Sequence, residues 1–114
     1  MPEDTMKVTS ESKAGAVILA PEGDIDLARS PTLRTSLRQA QSGKPKSLVV
    51  DLSQVDYMDS SGVATLVEAL QTARKNNTRM VLCCMKERVR SIFEIARLDS
   101  VFTIVDSRDQ ALTS

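Results

Sequence analysis

With 114 residues, 15 basic and 15 acidic side chains and 41% hydrophobic residues, the chain has enough apolar material for one domain core and too little length for two. The charge balance leaves no overall field to draw it onto nucleic acid or an anionic membrane, and no Lys/Arg run offers a local one. Histidine is absent, which excludes His-based acid–base catalysis, Ser-His-Asp and Cys-His nucleophiles, and the commonest metal ligand.

The first ten residues hold no basic stretch followed by an apolar one, so no secretory signal is expected. No apolar run approaches the length of a membrane span. The expectation is a soluble, cytoplasmic protein with no membrane insertion. Thr5 to Ser10 alternates, with Met6 and Val8 on one side, and predicts a short edge strand. Glu11 to Gly15 reads as a turn, and Ala16 to Ala20 as the second strand of a hairpin. Pro21 to Asp26 is a loop.

Ser30-Pro31 then predicts a helix start, with Ser30 as N-cap and proline where its missing N–H costs nothing. Leu33, Leu37 and Ala40 give the helix an apolar stripe, and Ser42-Gly43-Lys44-Pro45 stops it. Leu48 to Leu52 is nearly continuously apolar, as befits a strand buried on both faces. Val63, Leu66, Val67 and Leu70 mark one face of a second helix that ends near Asn76-Asn77.

Met80 to Met85 predicts another buried strand and contains both cysteines, Cys83 and Cys84. Neighbours in a strand point to opposite faces, so the two are expected as reduced core residues, poorly placed to bridge each other. No CxxC or Cys/His spacing suggests a metal site. Val89, Ile92, Phe93 and Ala96 repeat the helical spacing, and Val101 to Val105 reads as the last strand. Ser107-Arg108-Asp109-Gln110 fits a capping box opening a short terminal helix.

The order β-β-α-β-α-β-α-β-α predicts one α/β domain over residues 1–114. Its sheet should be mixed but mostly parallel, with four to five strands and an N-terminal hairpin. Parallel crossovers are right-handed. If successive strands are also neighbours, the helices lie on one face and the chain winds as a right-handed βα superhelix.

Chemistry is most readily placed at Val55 to Gly62, which joins the Leu48–Leu52 strand to the second helix. Loops after strand C-termini are where binding sites collect in such sheets. One of Asp59, Ser60 and Ser61 must be the N-cap, and read by position alone the segment is simply a cap. A phosphate-binding loop would need GxGxxG or GxxxxGK[ST], and a nucleophile elbow GxSxG with a base; none is present. A serine phosphorylated by a kinase is the remaining reading. Phosphoserine adds about −1.5 to −2 charges, which a helix N-terminus tolerates, so the fold should survive while docking at the loop is spoiled. Residue types alone do not choose Ser60 over Ser61. The acidic loop Gly23-Asp24-Ile25-Asp26 leaves the neighbouring strand at the same end, so Asp24 or Asp26 shares that surface or is only a solvated turn.

The Gly23–Asp26 loop, Val49-Val50-Asp51-Leu52-Ser53, the run Tyr57 to Gly62, and the closing Val101-Phe102 and Asp109 to Leu112 together resemble the STAS domain family. The nearest likeness is to its stand-alone bacterial anti-sigma factor antagonists. The Asp-Ser-Ser-Gly segment between strand and helix is the specific part. The resemblance implies a βα superhelix, and a switch serine that is the first serine after the aspartate, here Ser60, with Ser61 the lesser candidate. It implies an anti-sigma serine kinase of the GHKL type as partner and modifier, and a PP2C-type phosphatase that reverses the mark. Asp24, Asp26, Asp59, Ser60, Ser61 and Gly62 are then the expected partner-binding residues. No catalytic residue, metal or cofactor is expected, and the protein is read as a binding module rather than an enzyme. The alternative is a STAS subunit of a transport complex that binds an ABC-type ATPase, which would need no phosphorylatable serine.

Overall fold

In the computed structural model, which describes residues 6–113, the chain first forms an antiparallel hairpin of β1 (Lys7–Lys13) and β2 (Ala16–Glu22). The predicted turn at 11–15 shrinks to Ala14-Gly15, whose φ angles of 52° and 85° are those of a tight hairpin turn. Glu11, Ser12 and Lys13 are therefore strand residues, paired with Ile18, Val17 and Ala16. Alternation could not show this, because β1 is an exposed edge strand with almost no buried side chain to mark a period. Thr5 lies outside the described residues.

After α1 (Ser30–Ser42) come β3 (Ser47–Asp51), α2 (Ser60–Lys75), β4 (Arg79–Cys83), α3 (Glu87–Ile95), β5 (Thr103–Val105) and α4 (Arg108–Thr113). The sheet order is β1-β2-β3-β4-β5, and every pair after the first is parallel. Each crossover returns to the adjacent strand, so the starts of α1, α2 and α3 all follow strand C-termini at one end of the sheet.

Ser30 is not the N-cap expected of it. It lies inside α1 and is buried, and the cap falls on Arg29, which offers no side-chain hydrogen bond. Asp26 takes the role instead, because a turn precedes the helix. Its carbonyl accepts from the backbone N–H groups of Arg29 and Ser30, and its carboxylate accepts from Arg29 at 2.9 Å. The terminal capping box forms with one displacement. Gln110 N–H donates to Ser107 Oγ at 3.1 Å, while Gln110 Oε1 accepts from Asp106 N–H, one residue before the expected donor. β5 is shorter than expected, since Val101 and Phe102 still belong to the turn that follows α3 and both donate back to Leu98.

Alternate residues of the strands face two different cores. Leu19, Leu48, Val50, Met80 and Leu82 meet Leu33 and Leu37 of α1, Leu66 of α2, and Val89 and Phe93 of α3. On the reverse face Ile18, Val49, Val81 and Cys83 pack against Ala111 of α4. The expectation of all helices on one face thus holds for α1–α3 and fails for α4. Only the crossover helices are constrained to one side by handedness; α4 follows the last strand and folds under the sheet.

The two aromatic rings of the main core, Phe93 and Phe102, meet edge to face with centroids 5.5 Å apart. Phe93 is fully buried, so Phe93→Ala should lose about 3–5 kcal/mol of unfolding free energy. Urea denaturation followed by far-UV circular dichroism would measure it.

Candidate functional site

Two loops at the C-terminal ends of β2 and β3 are joined as a short extension of the sheet. Gly23 N–H donates to Gln54 C=O, Ile25 N–H to Tyr57 C=O, and Asp59 N–H to Ile25 C=O, all within 3.0 Å, with Ile25 and Met58 bridged in parallel. Gly23 enters this arrangement at φ 101°, a left-handed conformation that favours glycine. The acidic loop and the serine loop therefore form one surface, as their common exit from the sheet suggested.

Asp59 is the N-cap of α2, in extended conformation at φ −93° and ψ −174°. Its Oδ1 accepts from Ser61 N–H at 2.9 Å, Gly62 N–H at 3.3 Å and the Ser61 hydroxyl at 2.5 Å. Its Oδ2 accepts from Leu27 N–H at 3.2 Å, which ties the cap to the neighbouring loop. The Ser61 hydroxyl above all, and then the backbone donors of Gly62, Ser61 and Leu27, hold this carboxyl below the usual range against a smaller upward pull from burial.

The two serines are consequently unlike. Ser61 is half-buried, with its hydroxyl engaged by Asp59. Ser60, the first residue of α2, is exposed, and its hydroxyl makes no hydrogen bond to the described residues. Asp24 is exposed and Asp26 half-buried, the latter paired with Arg29 at 2.8 Å. Gly62 is buried, and a Cβ there would lie 2.5 Å from Met58 Cγ and 2.7 Å from Ile25 Cγ2. Its role here is packing: the missing side chain lets the two loops close over the start of the helix.

Beside Ser60 runs an open groove of about 460 Å³ whose floor includes Tyr57, Val63, Ile92 and Ile95. Ile95 is 84% exposed and Tyr57 44% exposed. The sequence reading missed the α3 side of this surface. By spacing Ile92 falls on the core stripe of α3 and Ile95 lies off it, so only its exposure marks it. Val63, also placed in the core by spacing, is half-buried and lines the groove. The loop is fixed from the far side by a Lys86–Asp56 ion pair at the start of α3.

The site combines an acidic loop, an exposed serine and an apolar groove. Of its carboxylates, Asp26 is engaged by Arg29 and Asp59 by the Ser61 hydroxyl and the backbone donors of its cap. The nearest thiols lie elsewhere, and burial first of all pushes Cys83 far above the range of a reactive thiol.

Comparison with known proteins gives a consistent picture. The sequence profile of the STAS domain matches residues 7–111. The anti-sigma-B factor antagonist of Listeria monocytogenes is 32% identical over 82 residues, 72% of this chain and 72% of that one. An anti-sigma factor antagonist from Mycobacterium paratuberculosis, solved by crystallography, superposes with a TM-score of 0.89 at 25% identity, covering 98% of this chain and 95% of its own. The Bacillus cell fate determinant SpoIIAA in its phosphorylated form shares the fold, with a TM-score of 0.72 at 18% identity over 93% of this chain and 96% of that one.

Two substitutions test the geometry. Asp59→Ala removes the cap and should cost about 0.5–2 kcal/mol. The Asp59 carboxyl sits below its unfolded value of about 3.9, so its contribution is present above that pH and is lost as pH falls through the folded value. The stability gap between wild type and Asp59→Ala, measured by urea denaturation, should accordingly narrow below about pH 4. Gly62→Ala should cost about 1–3 kcal/mol by overpacking against Met58 and Ile25.

Proposed function

The chain belongs to the STAS domain family, and on that premise we propose that it is an anti-sigma factor antagonist whose unphosphorylated form binds an anti-sigma serine kinase of the GHKL type. The kinase transfers the γ-phosphoryl group of ATP to Ser60. The Ser60 Oγ–phosphorus bond forms, the bond to ADP breaks, and the hydroxyl proton is lost. A PP2C-type phosphatase hydrolyses the ester and restores binding. The observation that carries this reading is the exposed Ser60 hydroxyl, uncommitted among the described residues, set between the Asp59 cap and the apolar groove.

The physical argument concerns where the new charge lands. Phosphoserine at the first position of α2 meets a favourable helix dipole and an unfavourable Asp59 carboxylate. In water-like surroundings each is worth about 1 kcal/mol or less, so the two nearly cancel. The folded state should hardly notice the mark.

A docked partner would notice it strongly. The groove supplies aliphatic contact area, and burying a near-dianion at its rim without a matching cation costs several kcal/mol. Since about 1.4 kcal/mol is tenfold in affinity, that is enough to abolish a micromolar complex. Solved examples of the fold include a protein described in its phosphorylated form, and several relatives are named as anti-sigma factor antagonists.

In binding assays with the cognate kinase, Ser60→Ala should bind as well as wild type and resist phosphorylation. Ser60→Asp should bind at least tenfold more weakly while its melting temperature stays within about 2–3 °C of wild type. Retention of full affinity by Ser60→Asp would remove the proposal, and mass spectrometry locating phosphate on Ser61 alone would move the site by one residue.

A further inference from the structure

A second cluster of chemistry lies at the same end of the sheet but on its reverse face, and the Ser60 surface does not use it. Asp51 ends β3 and Cys83 ends β4, directly paired across the sheet. Cys84 follows at φ 66°, so the chain leaves the strand conformation there and the expected alternation of faces fails. The two sulfurs are brought together, 3.2 Å apart, and both cysteines are free. One oxygen of Asp51 and the two sulfurs all lie within 4.8 Å of one another. The Asp51 carboxylate is itself fixed: it accepts from Arg108 Nε at 2.6 Å and from Ser53 N–H at 2.8 Å.

We propose that Asp51, Cys83 and Cys84 form a binding site for a thiophilic d10 cation, with Zn²⁺ the ion that the donor set fits. Two sulfurs and a carboxylate are ligands that zinc accepts in tetrahedral sites, and a fourth position would open to water beside the half-buried Cys84. Arg108 and Ser53 orient the carboxylate as outer-shell partners do at metal sites. On binding, two S–H bonds break, two metal–sulfur bonds form, and two protons pass to solvent. Two thiolates and the Asp51 carboxylate then face a dication and the Arg108 guanidinium, whose outer edge also meets the exposed Glu11 at 3.3 Å.

With Zn–S bonds of about 2.3 Å, a tetrahedral pair of sulfurs stands about 3.8 Å apart. The sulfurs need only separate by about half an ångström, which side-chain torsions supply. A disulfide between the two fits worse. Successive Cα atoms are about 3.8 Å apart, short of the usual disulfide range. The connecting peptide is also pinned, with Cys83 C=O accepting from Leu52 N–H at 2.9 Å and Cys84 N–H donating to Val105 C=O at 3.2 Å.

The test uses the full chain, reduced and freed of metal, titrated with Zn²⁺ against a chromophoric chelator and with Cd²⁺ while following sulfur-to-metal charge-transfer absorbance. The expected result is one equivalent per chain, protection of two thiols from a thiol reagent, and a higher melting temperature with metal. Cys84→Ser, which alters no strand residue, and Asp51→Asn should each weaken binding at least tenfold, and Cys84→Ser should abolish part of the charge-transfer band. Absence of binding at micromolar metal, equal binding by Cys84→Ser, or loss of both thiols to a disulfide without bound metal would each overturn the proposal.

Discussion

A helix begins with backbone N–H groups that no earlier turn can accept. In α2 the Asp59 carboxylate takes those of Ser61 and Gly62 and, with its other oxygen, reaches the N–H of Leu27 in the adjoining loop. One side chain thus caps a helix and fastens two loops. Its hold on the Ser61 hydroxyl has a further effect. Of two adjacent serines, one is drawn into the cap and the other is left facing solvent. The inequality between Ser60 and Ser61 is a consequence of capping geometry, and it needs no feature of either serine itself.

The parallel sheet makes that local arrangement useful. Crossovers returning to adjacent strands bring the loops after β2, β3 and β4 to one end, where Ile25 and Met58 extend the β2–β3 pairing beyond the strands. Gly62 lets this layer sit directly on the start of α2, since a Cβ would collide with Met58 and Ile25. α3 then contributes Ile92 and Ile95 from across a groove. A polar point and an apolar trough come to lie side by side on rigid elements. In the binding mode proposed above, a partner would take affinity from the trough and its sensitivity to charge from the point.

Much of this was legible in the chain itself. The β and α order followed from period changes between Ala16 and Val105, and the Asp59–Gly62 cap from residue types at a strand-to-helix junction. The unread parts have separate causes. β1 was read from the Met6 and Val8 alternation at its start, but its second half, Glu11 to Lys13, is fully exposed and carried no periodic signal. Ser30 has the chemistry of a cap, but the turn begun by Asp26 moved the cap away from it. Cys84 belongs to an apolar run that reads as strand, yet its backbone turns left-handed, which brings its sulfur to Cys83. α4 repeats no crossover, and only the hydrophobic reverse face of the sheet explains why Ala111 is buried there. Ile95 could be found only by its exposure in the folded chain.

The segment from Asp51 to Asp59 is held at both ends by carboxylates in different ways. At Asp51 burial alone would raise the pKa, and the Ser53 N–H and Arg108 outweigh it, keeping the group ionised below the usual range. At Asp59 the helix start does the same work in a wetter place. Between them, Gln54 and Tyr57 are hydrogen-bonded to the neighbouring loop, and Asp56 to Lys86. The loop that leads to Ser60 is thus fixed at several points by the chain itself. If Ser60 is the switch proposed above, a loop held this firmly lets the mark act through its charge rather than through rearrangement. A small domain with about 0.05–0.15 kcal/mol of stability per residue has little to spend on conformational change, and a switch of this kind requires almost none.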